Sequence, residues 1–280
     1  MRTKISNKKR DGFAGELLIS IPQNVLAGAI QKGQILPHQL YVSHIGYFPK
    51  ALYHYCQRPQ GCVDNILFYC VQGKGYYTLD GHTFTLNPNQ YVIVPATDKP
   101  LVYWSDTEDP WSIYWVHFTS DALQAFNRAY HIVPEQGPQY IPHNEKGIRI
   151  WEEMYENLSR GYSPENLMNT NLCLSHLIAT FVFSQQQNQN SSSPEKAIIR
   201  ETIDYMKNNL DKTIRIEDFA DLNKYSVSHF SKLFRLTTGM SPIEYFIHLK
   251  MQKACQLLYT EDSRVKQIAA LLGYDDPYYF

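Results

Sequence analysis

A chain of 280 residues, 44% apolar, 14% aromatic and only 19% charged, has enough apolar surface for a sizeable core and enough length for two domains. The formal net charge of −1 excludes a global field that would draw the whole chain onto nucleic acid, so any such contact has to be local. Cys56, Cys62, Cys70, Cys173 and Cys255 form neither a Cys-x-x-Cys pair nor a Cys/His group with zinc-ligand spacing; this excludes a zinc finger and fits free thiols in a reducing cytosol.

Residues 1–10 are basic and precede a moderately apolar stretch at 12–30, but Glu16 and Pro22 interrupt it, so no signal peptide is expected. No run reaches the roughly 20 apolar residues of a membrane span. The expectation is a cytoplasmic protein without membrane contact.

From Tyr41 to Thr119 short apolar or aromatic runs alternate with turn residues. Strands are expected at 65–71, 76–79, 83–86, 91–94 and 113–118, with Gly73-Lys74-Gly75, Asp80-Gly81 and Asn87-Pro88-Asn89 between them. Asp80-Gly81 is a hairpin signal, because both residues tolerate the positive φ of a tight turn. Several strands at this spacing predict a small antiparallel barrel or sandwich.

After Thr119 the period becomes helical, predicting helices at 121–130, 145–160 and 164–184. In the last of these Leu167, Leu174, Ile178 and Phe181 share a face, widened by Leu177 and Val182. That face is expected to pack on the barrel or on a second subunit. Residues 185–194 (QQQNQNSSSP) are polar throughout and read as a linker between a domain at 1–184 and one at 195–280.

The second domain is helical by pattern, starting with Ile199, Ile203, Met206 and Leu210 on one face. A short helix at 216–222, a turn at Asn223-Lys224-Tyr225 and an N-cap at Ser226 make a helix-turn-helix. Residues 265–274 copy the apolar spacing of the first short helix, and Asp275-Asp276-Pro277 repeat the turn and helix start. A long helix at 242–259 joins the two units, with Phe246, Leu249 and Leu257 near one another and Ile247, Ala254 and Leu258 extending the face.

In the helix after Ser226, the apolar set Val227, Phe230, Leu233 and Phe234 is expected to pack inward. Ser228, His229, Ser231, Lys232 and Arg235 then face outward, with no acid among them. Such a face suits a major groove rich in acceptors and flanked by phosphates. Lys232 is placed to read guanine O6 and N7, the serines to contact bases or phosphates, and Arg235 with Lys224 to neutralise phosphate. A solvated helix surface with two or three cations is the ordinary alternative.

Four segments, 226–235, 239–245, 253–258 and Ile268-Ala269 with 273–280, together closely resemble the signature of the AraC/XylS family of transcription regulators over about 80 residues. The resemblance implies two recognition helices entering the major groove on one face of DNA, their separation set by the long helix. Ser228, Ser231 and Lys232 take base-reading places, and Ser226, His229, Arg235, Lys224 and Tyr278 complete the expected DNA-binding set. Lys250-Met251 departs from the Arg-Leu pair common there. The signature also stops at Phe280, so the second reader is expected to be incomplete and this form to bind DNA weakly.

Residues 55–61 with 66–75, and 111–118, resemble the sensor of the family's arabinose-responsive type. That implies an α+β, two-domain protein: a cupin-like antiparallel β-barrel with flanking helices, then an all-α double helix-turn-helix. Arg58 and Trp115 take the places that face a sugar, and Tyr103, Trp111 and Ile113 are added as candidate lining residues. A guanidinium supplies fixed donors and an indole face stacks on C–H surface. Further expectations are double-stranded DNA, RNA polymerase and a small-molecule effector, a sugar or related polar molecule, as partners of a homodimer that activates carbohydrate-utilisation genes. The effector would bias the N-terminal arm or the dimer helices and so change how two DNA-binding domains are presented.

No cofactor is expected. A metal-dependent cupin enzyme would need a His-x-His pair with a nearby Glu and a later His, whereas His82 stands alone, His117 lies a strand away and 97–100 reads Thr-Asp-Lys-Pro. A ligand sensor that no longer touches DNA is the remaining alternative.

Overall fold

The computed structural model describes residues 8–184, 194–260 and 264–274. The chain divides into two compact units, up to residue 185 and from 186 onward. Of the expected linker, only Pro194 lies within the described residues, and it opens a helix instead; at the first helical position its missing N–H costs nothing.

The first unit holds two antiparallel sheets. One is ordered β1-β2-β9-β4-β7-β10, from strands β1 (Leu17–Ser20), β2 (Tyr41–Phe48), β4 (Asn65–Gln72), β7 (Gln90–Val94), β9 (Ser112–Thr119) and β10 (Gln139–Tyr140). The other is ordered β3-β8-β5-β6, from β3 (Tyr55–Arg58), β5 (Gly75–Leu79), β6 (His82–Leu86) and β8 (Leu101–Ser105). The Asp80-Gly81 signal does what its chemistry demands: φ is 48° and 79°, and Leu79 pairs with His82 across a two-residue loop.

Helices α1 (Gln23–Gln31), α2 (Leu123–Ala129), α3 (Glu145–Ser159) and α4 (Pro164–Val182) cover the larger sheet. Its central strand β4 is buried on both faces. Leu67 and Tyr69 join the core under the helices, while Ile66, Phe68 and Cys70 join the core between the sheets. That double burial is why residues 66–71 read as a continuous apolar run rather than as an alternation. On α4 the expected face is buried (Leu167, Leu174, Leu177, Ile178 and Phe181), but Met168 and Leu172 on its other side stand 46% and 67% exposed.

Strand β2 carries a β-bulge between Val42 and His44. Val42 and Ile45 both lie in the helix-side core, so the bulge breaks the two-residue alternation and turns His44 toward the inter-sheet side.

The second unit contains α5 (Pro194–Asn208), α6 (Ile216–Leu222), α7 (Val227–Thr238), α8 (Pro242–Thr260) and α9 (Val265–Leu271). Ile199, Met206, Phe219, Ala220, Phe230, Phe234 and Phe246 form one core; Ala254, Leu257, Ile268 and Leu272 form a second. Two expectations fail here. Val227 is 38% exposed, and on α8 Ile247 and Leu258 are 48% and 49% exposed. A helical period shows which side is apolar, but not how far neighbouring helices reach around it.

Candidate functional site: a barrel cavity and a recognition helix

A cavity of about 280 Å³ lies in the first unit. Arg58 at the end of β3, Tyr103 on β8 and Trp115 on β9 line it, together with His44, His54 and His117. Arg58 Nε donates to Tyr103 Oη at 3.4 Å, which holds the guanidinium at the wall. Trp115 sits against Gly46: a Cβ there would lie 2.3 Å from the indole ring, so only glycine leaves room. The Trp115 indole N–H is buried and has no acceptor among the described residues.

Trp111 and Ile113 do not line this cavity. Both are enclosed in the inter-sheet core, 1% and 0% exposed. Trp111 acts one step back, its indole N–H donating to His54 Nδ1 at 3.1 Å. With Nδ1 accepting, His54 must carry its proton on Nε2. His54 and His44 were not named from the sequence, and His117 was weighed there only as a metal ligand and set aside, because a lone histidine in or beside a strand looks like any other half-buried residue.

Burial pushes His54 down from 6.5 to about 3. The folded form therefore resists a proton that the unfolded chain accepts below about pH 6.5, and stability is lost as pH falls through that value. Lowering pH from 7 to 5 is expected to remove about 2 kcal/mol through His54 alone. Urea unfolding at both values checks this: the loss should shrink by that amount in His54→Gln, and an equal loss in both proteins would refute the assignment.

His44, Asp64 and His117 also come together, although the sequence carries no metal pattern. They arrive from β2, the turn before β4, and β9.

In the second unit, α6 and α7 form the helix-turn-helix. Lys224 adopts a left-handed φ of 58° in the turn, which lets Tyr225 N–H reach back to Ala220 O at 2.9 Å. Ser226 caps α7 by accepting from His229 N–H at 3.3 Å. Phe230 and Phe234 are fully buried, whereas Ser228, His229, Lys232, Arg235 and Lys224 are exposed. Ser231 is half-buried and donates to Val227 O at 2.6 Å, so its hydroxyl keeps lone pairs to offer but no free proton. No acidic residue occurs on α7.

The second short helix, α9, is capped at Leu272 and followed by Gly273, with φ 72°. A Cβ there would lie 2.1 Å from Asp211 O, so this position requires glycine both for its dihedral and for the close approach. Lys250 on α8 is 5% exposed and donates to Lys212 O at 3.0 Å and Leu272 O at 2.8 Å. The expected contact at Tyr278 and the start of the second reader at 275–280 lie outside the described residues.

This pairing of a β-rich unit enclosing a polar-lined cavity with a helix-turn-helix unit defines a ligand-binding transcription regulator. Comparison with known families agrees: residues 53–180 match the AraC-like ligand binding domain and residues 219–280 a helix-turn-helix domain. The chain belongs to the AraC family of transcription regulators. It is 26% identical over 278 residues to the MmsAB operon regulatory protein of Pseudomonas aeruginosa, covering 95% of this chain and 85% of that one. It is 25% identical to the lactose operon transcription activator of Staphylococcus xylosus, covering 77% of each chain. To the Msm operon regulatory protein of Streptococcus mutans it is 23% identical, covering 75% of this chain and 76% of that one. The chain is thus a DNA-binding regulator rather than a cupin enzyme. Among the described residues no helix is long and apolar enough to cross a membrane.

Proposed function

We propose that this protein activates carbohydrate-utilisation genes in the cytoplasm, sensing a sugar or sugar acid in the cavity beside Arg58 and Trp115. The reading of DNA is assigned to α7. What carries that assignment is an exposed face of Ser228, His229, Lys232 and Arg235 on a helix without a single acid. Lys224 in the turn extends the positive surface toward phosphate. A sugar is favoured as effector because the cavity is lined by a guanidinium and an indole, and because one relative is named for a lactose operon.

In this reading the exposed Met168 and Leu172 on α4 pack against a second copy, and dimerisation doubles the DNA contacts through effective concentration. A net charge near zero is then no obstacle. The effector shifts how the two DNA-binding units are presented, and the bound dimer contacts RNA polymerase.

The test is binding to an operator obtained by selection from random duplexes, read by fluorescence anisotropy at several salt concentrations. Lys232→Ala should cost about 1–3 kcal/mol and relax preference at the base pairs it reads; Arg235→Ala should weaken all duplexes alike and lower the salt slope by about one. If Lys232→Ala left both affinity and preference unchanged, α7 would not be the reader.

A further inference from the structure

We propose that His44, Asp64 and His117 bind a divalent transition-metal ion at the wall of the barrel cavity. One ring nitrogen from each histidine and one oxygen of the carboxylate all lie within 4.8 Å of one another. Asp64 and His117 are buried and His44 is half-buried, so this is no chance meeting of surface charges. His44 and His117 both line the cavity, which leaves coordination positions open toward a bound molecule.

Three details of the geometry favour an ion over a simple hydrogen-bonded cluster. Asp64 Oδ2 and His117 Nδ1 are 3.7 Å apart. That is too long for a hydrogen bond. It falls between the about 3.3 Å separating two ligands of a tetrahedral zinc and the about 4.1 Å of two opposed ones, so a shared ion fits where a shared proton does not. Closing the widest pair needs side-chain movement of only about 1 Å.

Second, Ser43 fixes the tautomer of His44. The Ser43 hydroxyl donates its one proton to Asp64 Oδ2 at 2.6 Å, so at 2.9 Å it can only accept from His44 Nδ1. Nδ1 therefore carries the proton and Nε2 keeps a lone pair for a metal. Orientation of a ligating histidine by a hydrogen bond on its other nitrogen is the usual outer support of such sites. Third, the β2 bulge exists at this spot: it turns His44 inward beside its cross-strand partner His117, their ring centroids 5.1 Å apart.

Two imidazoles and a carboxylate, with the Cys62 thiol 3.9 Å from His117 Nδ1, suit Zn²⁺, Fe²⁺ or Ni²⁺ rather than Ca²⁺ or Mg²⁺. Arg58 bears on both histidines and opposes a cation there. An anionic oxygen ligand lying between Arg58 and the ion would relieve that repulsion. The ion site does not depend on what the effector is, and its loss would leave the DNA reading of α7 intact.

The experiment uses the full chain, stripped with a chelator and titrated with Co²⁺ alone, read by its visible d–d absorption and by metal analysis. Saturation at one ion per chain is expected. His44→Gln and Asp64→Asn should each weaken binding beyond the roughly 10–100-fold that outer supports contribute, and Ser43→Ala should weaken it within that range. Arg58→Gln should bind Co²⁺ more tightly than the parent. His44 is half-buried, so its variant keeps the fold; circular dichroism verifies this. Absence of saturable absorption, or titrations of His44→Gln and Asp64→Asn that match the parent, would overturn the proposal.

Discussion

Lys250→Met is expected to destabilise the helical unit by about 2–4 kcal/mol while leaving the β-rich unit unchanged. The ammonium is nearly enclosed and donates to two carbonyls, at Lys212 after α5 and at Leu272 after α9. It also lies 4.8 Å from the Phe246 ring and 5.0 Å from the Tyr274 ring. Removing it leaves two carbonyls short of a donor, at about 1–3 kcal/mol each, and loses two cation–π contacts. Methionine fills much of the volume, so the loss is electrostatic rather than a cavity.

All four tryptophans (Trp104, Trp111, Trp115 and Trp151) belong to the β-rich unit, which separates the two transitions. Urea unfolding followed by far-UV circular dichroism should show an earlier helical transition in the variant, while tryptophan fluorescence unfolds at the parent's midpoint. Lys250→Arg should retain most of the stability, because a guanidinium can still serve both carbonyls. Coincident, unshifted transitions in Lys250→Met would mean that the buried ammonium holds nothing together.

Gly75→Val should cost about 3 kcal/mol or more and disturb the cavity from behind. A Cβ at residue 75 would lie 1.9 Å from Trp111 Cε3, and Trp111 is 1% exposed with nowhere to retreat. Overpacking a closed core of this kind costs about 1–3 kcal/mol for small insertions and more for branched ones. Displacing the indole also withdraws the donor that holds His54 Nδ1. The expected result is a lower urea midpoint together with a changed tryptophan emission in the folded state. Gly28→Ala on α1 is the control: nothing lies within 4 Å of its Cβ, and alanine in a helix interior gains up to about 1 kcal/mol. Equal behaviour of the two variants would show that the Trp111 seat is not tight.

Periodicity and turn chemistry by themselves determined most of the elements. The Asp80-Gly81 hairpin, the short helix Ile216–Leu222, the Ser226 cap and the helix from Pro242 follow from local preferences that no tertiary contact had to override. The outward face of α7 was legible for the same reason: two buried phenylalanines at i and i+4 settle which side chains remain outside. Strands β1, β2, β3, β8 and β10 and helix α1 were not named, because half-polar segments become strands or helices only when a neighbour pairs with them or covers them.

What only the tertiary structure decided lies in the barrel. Trp111 and Trp115 stand four residues apart on or beside one strand, yet one is core and the other lines the cavity, a difference set by Gly75, Gly46 and the facing sheet. His44, Asp64 and His117 meet only because a bulge in β2 reverses an alternation that the sequence would otherwise continue. Lys250, an ordinary surface-type residue by composition, is buried because the segments that follow α5 and α9 bring their carbonyls to it. Local order is a matter of neighbours along the chain; a site needs groups from distant segments, and their meeting is fixed by packing alone.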